Sequence, residues 1–220
     1  MKRVAWLGWL GSLVLLVVSG CASISYKPSL SLGSSPSTVR ARVQINQFKD
    51  ASPPEEKGKK FAGFSATEPG TLAGDLATEV TNAVLIDFSN NQVFETIQKR
   101  MDKPDLILNG TIHRFYGQTG INALGLSTIL VDVIWLFGLP IQSQYGAVDL
   151  EVSFQLPNGT PVATYRGKSE FSDSFSMYTN VALAIGTRLN KAFDDAAGQI
   201  RSQIVADANK LTARTAARQQ

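Results

Sequence analysis

The apolar run Leu13-Val14-Leu15-Leu16-Val17-Val18, closed by Ser19-Gly20-Cys21, constrains this chain more than any other stretch. Lys2 and Arg3 precede it, so a short basic region leads into an apolar segment ending on small residues, which is the anatomy of a secretory signal peptide. The run is too short to serve as the membrane span of a mature protein. Cys21 is the single cysteine in the sequence, so no disulfide within the chain is possible and stability must come from packing. Removing residues 1–20 leaves roughly 200 residues, enough for one domain with its own core.

Val18-Ser19-Gly20-Cys21 resembles the lipobox of bacterial lipoproteins. That resemblance implies diacylglyceryl transfer to the Cys21 sulfur, cleavage after Gly20 and acylation of the new amino terminus. The lipid on Cys21 is then the one covalent group expected, with no other cofactor and no metal. One acyl chain holds a protein only marginally, at about 0.8 kcal/mol per buried methylene, so several chains are needed for stable anchoring. Ala22 follows the cysteine, where an aspartate resembles an inner-membrane retention signal; the resemblance therefore implies the periplasmic face of the outer membrane. An ordinary signal peptide with a chance cysteine, or an uncleaved anchor, are the alternatives.

Residues 21–37 are rich in serine, glycine and proline and read as a lipidated terminus and flexible tether. The formal charge of +3 includes Lys2 and Arg3, and no basic block with interleaved aromatics follows, which argues against nucleic acid as a partner.

A single domain is expected over 38–206. Val39, Ala41, Val43 and Ile45 alternate with polar residues, a period of two that predicts a half-buried strand. Residues 50–70 lose this pattern in prolines and mixed charges and read as an exposed loop; Phe61 and Phe64 within it either fold back onto the core or form a partner-binding patch. Leu72, Leu76, Val80, Ala83 and Val84 share one helical face over 71–88. A short strand is expected around Val93–Ile97, and a strongly β-prone strand, central at its start, over 106–116. A hairpin follows, 148–156 and 162–171, around Pro157-Asn158-Gly159-Thr160. A long closing helix over 178–204 carries the stripe Ile185, Leu189, Phe193, Ala196 and Ile200, and 207–220 reads as a polar, frayed tail.

The segment 121–142 stands apart. It is nearly all apolar, with Trp135 and a single charge, Asp132. Twelve Ile, Leu, Val or Phe residues between Ile121 and Ile141 favour membrane insertion by about 4 to 7 kcal/mol in sum, while Asp132 opposes it by about 3 kcal/mol, so a stable lone span is not expected. Leu126 and Phe137 lie on one helical face and Val131 and Trp135 off it, leaving the segment apolar almost all round. It is either a helix buried in the domain, a segment dipping into the bilayer, or a surface closed by a partner. A small two-layer domain covers one face of an added helix more readily than both, which weights the balance toward membrane or partner contact.

This order of elements predicts an α+β two-layer sandwich: a mixed or antiparallel sheet of about five strands, two helices on one face, and the apolar insertion. The layout, with Pro104-Asp105-Leu106-Ile107-Leu108-Asn109-Gly110-Thr111-Ile112 and the Asn158-Gly159 hairpin, resembles YajG-like outer-membrane lipoproteins. More remotely it resembles the periplasmic domains of the curli secretion channel and of penicillin-binding-protein activator lipoproteins. No catalytic or ligand residue belongs to that pattern.

Catalysis finds little footing. His113 is the only histidine and stands in a strand pattern beside Arg114, where a sheet-face histidine is expected rather than a general base. Gly117-Gln118-Thr119-Gly120 lacks the lysine and helix start of a phosphate-binding loop. Asp194 and Asp195 are adjacent on a helix and diverge by about 100°. The expected function is a non-enzymatic outer-membrane lipoprotein that binds a protein partner, or a second copy of itself, in envelope assembly, secretion or a surface structure. The alternative is a periplasmic carrier or chaperone for a lipid or other apolar ligand, with the apolar segment lining its pocket. Replacing Cys21 with serine is expected to abolish partition of the protein into the detergent phase, read by phase separation of membrane fractions.

Overall fold

Strict alternation at the start of the domain gives β1 (Val39–Ile45), whose odd-numbered residues are buried and whose Arg40 and Arg42 are exposed. The computed structural model describes residues 38–57, 64–65, 67, 74–121, 140, 142–176 and 181–216. Within them, β1 is followed by β2 (Lys49–Asp50), the short α1 (Pro54–Lys57), β3 (Phe64–Ser65), α2 (Leu76–Asn90), β4 (Phe94–Gln98), β5 (Leu106–Ile121), β6 (Gln142–Gln155), β7 (Pro161–Phe175), α3 (Val181–Ala206) and α4 (Ala208–Ala216). This is the α+β sandwich expected, on a mixed sheet.

The main path of the sheet is β4-β1-β5-β6-β7. β1 runs parallel to both β4 and β5, while β5, β6 and β7 form an antiparallel meander. One long side of β5 is covered in three instalments: β1 at Leu106–Leu108, β2 at Thr111 and Ile112, and β3 at Gln118 and Thr119. The first two are parallel and the third antiparallel, so the chain reverses between Asp50 and Phe64, where α1 lies.

β5 cannot keep one parity along its whole length. Leu106, Leu108 and Ile112 need the core, but the next large apolar residue, Phe115, is three positions on rather than two. The ladder with β6 shifts register between Ile112 and Arg114, a bulge that turns His113 and Arg114 to the same face and returns Phe115 to the core. Leu106, Leu108, Ile112 and Phe115 are all fully buried as a result.

The helices cover the core face. Asp75 caps α2, its carboxylate accepting from the Thr78 amide at 3.0 Å, and Val80, Ala83, Val84 and Phe88 face the sheet. Ile185, Leu189, Phe193, Ala196 and Ile200 form the inner stripe of α3. A row of rings, Phe88–Phe94–Phe154–Tyr165, runs from α2 across the sheet to β7 with centroids 5.9, 5.6 and 6.0 Å apart. Between the two long helices Asp87 meets Arg201, and Asn91 Nδ2 donates to the same carboxylate at 3.0 Å. Burial pushes the Asp87 carboxyl up against the opposing pull of Arg201, so this pair holds the helices in register rather than adding much stability.

Glycines set the layer spacing at two points. At Gly110 the ring of Phe48 lies directly over the strand, and at Gly167 the backbone of α3 at Ala196 does the same. The hairpin turn after β6 uses Gly159 at φ 86°, with its amide donating to the Leu156 carbonyl at 2.8 Å.

Two expectations need correction. Residues 207–220 are not a frayed tail throughout: Ala208–Ala216 form α4, packed on β1 and β7, with Ala208, Leu211 and Thr215 buried on one face. Their spacing of three and four residues is a helical stripe that a window dominated by alanine and polar residues disguised. The strands flanking the apolar insertion are also longer than expected, since β5 continues to Ile121 and β6 begins at Gln142. Glycines and polar residues in this part of the ladder had masked its alternation. Gly167→Ala is expected to cost about 1–3 kcal/mol by forcing β7 away from α3. Gly120→Ala, with open space around its Cβ position, should stay within about 0.5 kcal/mol. Thermal unfolding of both variants checks the contrast.

Candidate functional site

The face of the sheet opposite α2 and α3 carries a cluster of ion pairs. The bulge delivers His113 and Arg114 to it together. Arg114 is the hub: Nε donates to both carboxylate oxygens of Glu56 at 3.0 and 3.1 Å, Nη1 to Glu170 at 3.0 Å, and Nη2 to the Tyr116 hydroxyl at 3.0 Å. Its guanidinium also lies 5.2 Å from the centroid of the Tyr116 ring. Glu56 belongs to α1, and the Gln118 amide donates to the Glu56 carbonyl, so Arg114 and Gln118 pin α1 onto β5 from two sides. Lys57 and Ser52 close the other end of this strap on Asp50. Burial tends to raise the Asp50 carboxyl, and Lys57 and Ser52 together pull it below the usual range.

Beside the hub, His113 Nε2 lies 3.2 Å from Glu151, both about one-third exposed. Arg166 grips Asp149 with two hydrogen bonds of 2.7 and 2.8 Å. Burial pushes the Asp149 carboxyl up, and the hydrogen bonds and charge of Arg166, with His113 and Lys168 adding to them, overcome this and hold it below its ordinary value. This arrangement fastens a strap and orders a polar sheet face. Arg114's donors are already committed to Glu56, Glu170 and Tyr116, which leaves it poorly placed to catch an anion.

The second feature is the stem of the apolar insertion. β5 and β6 pair without a break from Arg114↔Asp149 to Ile121↔Gln142, so the segment 122–141 departs from and returns to adjacent, hydrogen-bonded positions. Ile121 is 40 % exposed at this end. Cys21, Phe61, Leu126, Val131, Trp135 and Phe137 lie outside the described residues, and of Phe64 only the backbone, in β3, lies within them. Asp195 on α3 bonds Lys191 at 3.0 Å as a surface i,i+4 pair. Among the described residues, no group of three or more His, Cys, Asp or Glu could hold a metal ion, and no helix is long and apolar enough to cross a membrane.

Sequence reasoning missed the Arg114–Glu56 hub. Its signal was present in the broken alternation Ile112-His113-Arg114-Phe115, which demands a bulge and so an outward arginine. Its acidic partner, far away in the chain, carries no such mark.

No family model matches this chain, and no curated protein matches it. Among solved structures, a Xanthomonas campestris protein of the DUF330 family is similar at 11 % identity and a TM-score of 0.49, over 88 % of this chain and 99 % of that one. A minor lipoprotein from Acinetobacter baumannii is similar at 10 % identity and a TM-score of 0.41, over 74 % of this chain and 92 % of that one.

A carboxyl held low stabilises the fold above its unfolded value and loses that contribution as pH falls through its folded value. Acid titration of stability should therefore show a loss that begins below about pH 4 and is reduced in Asp149→Asn, measured by urea unfolding across pH 2–6.

Proposed function

We propose that this chain is an outer-membrane lipoprotein held by lipid on Cys21 at the periplasmic face, and that it binds a protein partner without catalysing a reaction. The observation that carries the partner reading is the ladder ending at Ile121↔Gln142. It gives the apolar segment a stiff two-stranded base with a third strand, β7, alongside as far as Phe175.

Position along the sheet supports a protein partner over the anchoring bilayer. β1 pairs in parallel with the first residues of β5, so the tether enters at the Leu106 end. The apolar segment leaves from the other end of β5, about 50 Å away at roughly 3.3 Å per strand residue. A domain standing on its tether would hold the base of that segment, at Ile121 and Gln142, away from the lipid on Cys21. The partner is an envelope protein or a second copy of this chain, and the YajG-like resemblance belongs to the same reading.

The carrier reading calls for an enclosed apolar cavity. Three grooves formed by described residues, of about 370, 340 and 250 Å³, are each lined in part by charged or polar side chains at the surface, such as Arg42, Lys99 and Gln47. They give that alternative no specific support.

Replacing Val131 and Trp135 with serine in the full chain tests the proposal. The expected result is an unchanged thermal midpoint with loss of a partner, or of self-association, in pull-downs from detergent-solubilised envelopes. A large fall in thermal stability with association intact would make the segment ordinary core. Loss of liposome binding alone would make the bilayer its target.

A further inference from the structure

The sheet has two lateral ends, β4 and β7. β7 alternates Arg166, Lys168 and Glu170 along one face, the charged dressing that discourages an edge strand from pairing. β4, Phe-Glu-Thr-Ile-Gln, carries only Glu95, and among the described residues β1 alone pairs with it. Beside this edge lies a groove of about 340 Å³, lined by Leu85, Ile86, Ser89 and Asn90 of α2 and by Ile97 and Gln98 of β4, with Lys99 just past the end of the strand. Ile86 is 49 % exposed there, one of two large apolar side chains exposed among the described residues.

The chain preceding β1 enters next to this groove. Thr38 Oγ1 donates to the Gln92 carbonyl at 2.9 Å and the Val39 amide to the Val93 carbonyl at 2.9 Å. Residue 38 is thus tied to the turn between α2 and β4, a few residues from Ser89. The sequence ahead of it suits an added strand: Ser29-Leu30-Ser31-Leu32 alternates, and residues 22–37 carry a single charge, Lys27. Gly33-Ser34-Ser35-Pro36 then supplies turn-forming residues. Residues 33–37 can span roughly 17 Å, against about 10 Å for two strand spacings.

We propose that Ser29–Leu32 docks antiparallel on the open edge of β4, with Leu30 and Leu32 covering Ile86 and Ile97. Main-chain hydrogen bonds to the edge would supply affinity and the alternating leucines the register. Because the strand is part of the same chain, its effective concentration at the edge is on the order of millimolar. Docking closes the edge against pairing with other chains. It also shortens the free tether from residues 22–37 to 22–28, from about 55 Å to about 25 Å of extended reach. The docking itself holds whether or not Cys21 carries lipid.

Hydrogen–deuterium exchange on the full chain in detergent tests this. Leu30→Asp with Leu32→Asp is expected to speed exchange of the β4 amides about tenfold at an unchanged thermal midpoint, and Ile86→Asp to do the same. Unchanged β4 exchange in the leucine variant overturns the proposal, whatever Ile86→Asp does. Protection in the parent that fades on dilution overturns it in favour of a second copy seated on the edge.

Discussion

The bulge between Ile112 and Arg114 is the constraint on which the rest of the sheet depends. β5 is the strand that every other part of the sheet pairs with or is built outward from. With an uninterrupted period of two, the residues that bury Leu106, Leu108 and Ile112 would send Arg114 and Tyr116 into the core and Phe115 to solvent. An isolated guanidinium in an apolar core is far more costly than one extra strand residue. The chain takes the bulge, and a single local irregularity then does two things. It continues the core under α3, and it lifts Arg114 to the opposite face, where Glu56, Glu170 and Tyr116 receive it.

From that hub the coverage of β5 follows. β1 and β2 reach only as far as Ile112, and beyond it the edge would be bare. The strap from Asp50 to Ser65 reverses the chain so that β3 can take over at Gln118 and Thr119. Arg114 holds the turn of this strap through Glu56, so the electrostatics of the outer face and the hydrogen bonding of the central strand are one problem with one solution. The helix layer obeys a different limit. α3 comes so close to β7 that Gly167 has no room for a side chain, and α2 is tied to α3 through Asp87 and Arg201. Close helix packing on one face and the Arg114 and Arg166 ion pairs on the other leave the two faces of the sheet chemically distinct.

The domain is also polarised along its length. The end where β1 starts holds the α2–β4 turn, the loop at Asp102–Asp105 and the hairpin at Pro157–Thr160. The opposite end is the long β5–β6–β7 ladder that carries the base of the apolar segment. With the chain entering at one end and the apolar segment based at the other, the domain would bridge two positions in the function proposed.

Much of the fold could be read from residue order, because its signals are local. Alternation marked β1, the Asn158-Gly159 turn marked the β6–β7 hairpin, and the stripe through Leu189 and Phe193 marked the long helix. The apolar run at 121–142 announced itself by composition, and the reading of Cys21 as a lipid site rests on sequence alone. What residue order could not supply was pairing over distance. Glu56 and Arg114 are 58 positions apart and Asp87 and Arg201 are 114 apart, and nothing in the local pattern of either partner names the other. The same holds for α4, whose buried face at Ala208, Leu211 and Thr215 becomes meaningful only because it packs against both β1 and β7, strands far apart in the sequence. Local periodicity depends on a residue's neighbours in the chain and so is written in the sequence. Ion pairs, strand order and edge coverage depend on neighbours in space, and only the tertiary structure decided those.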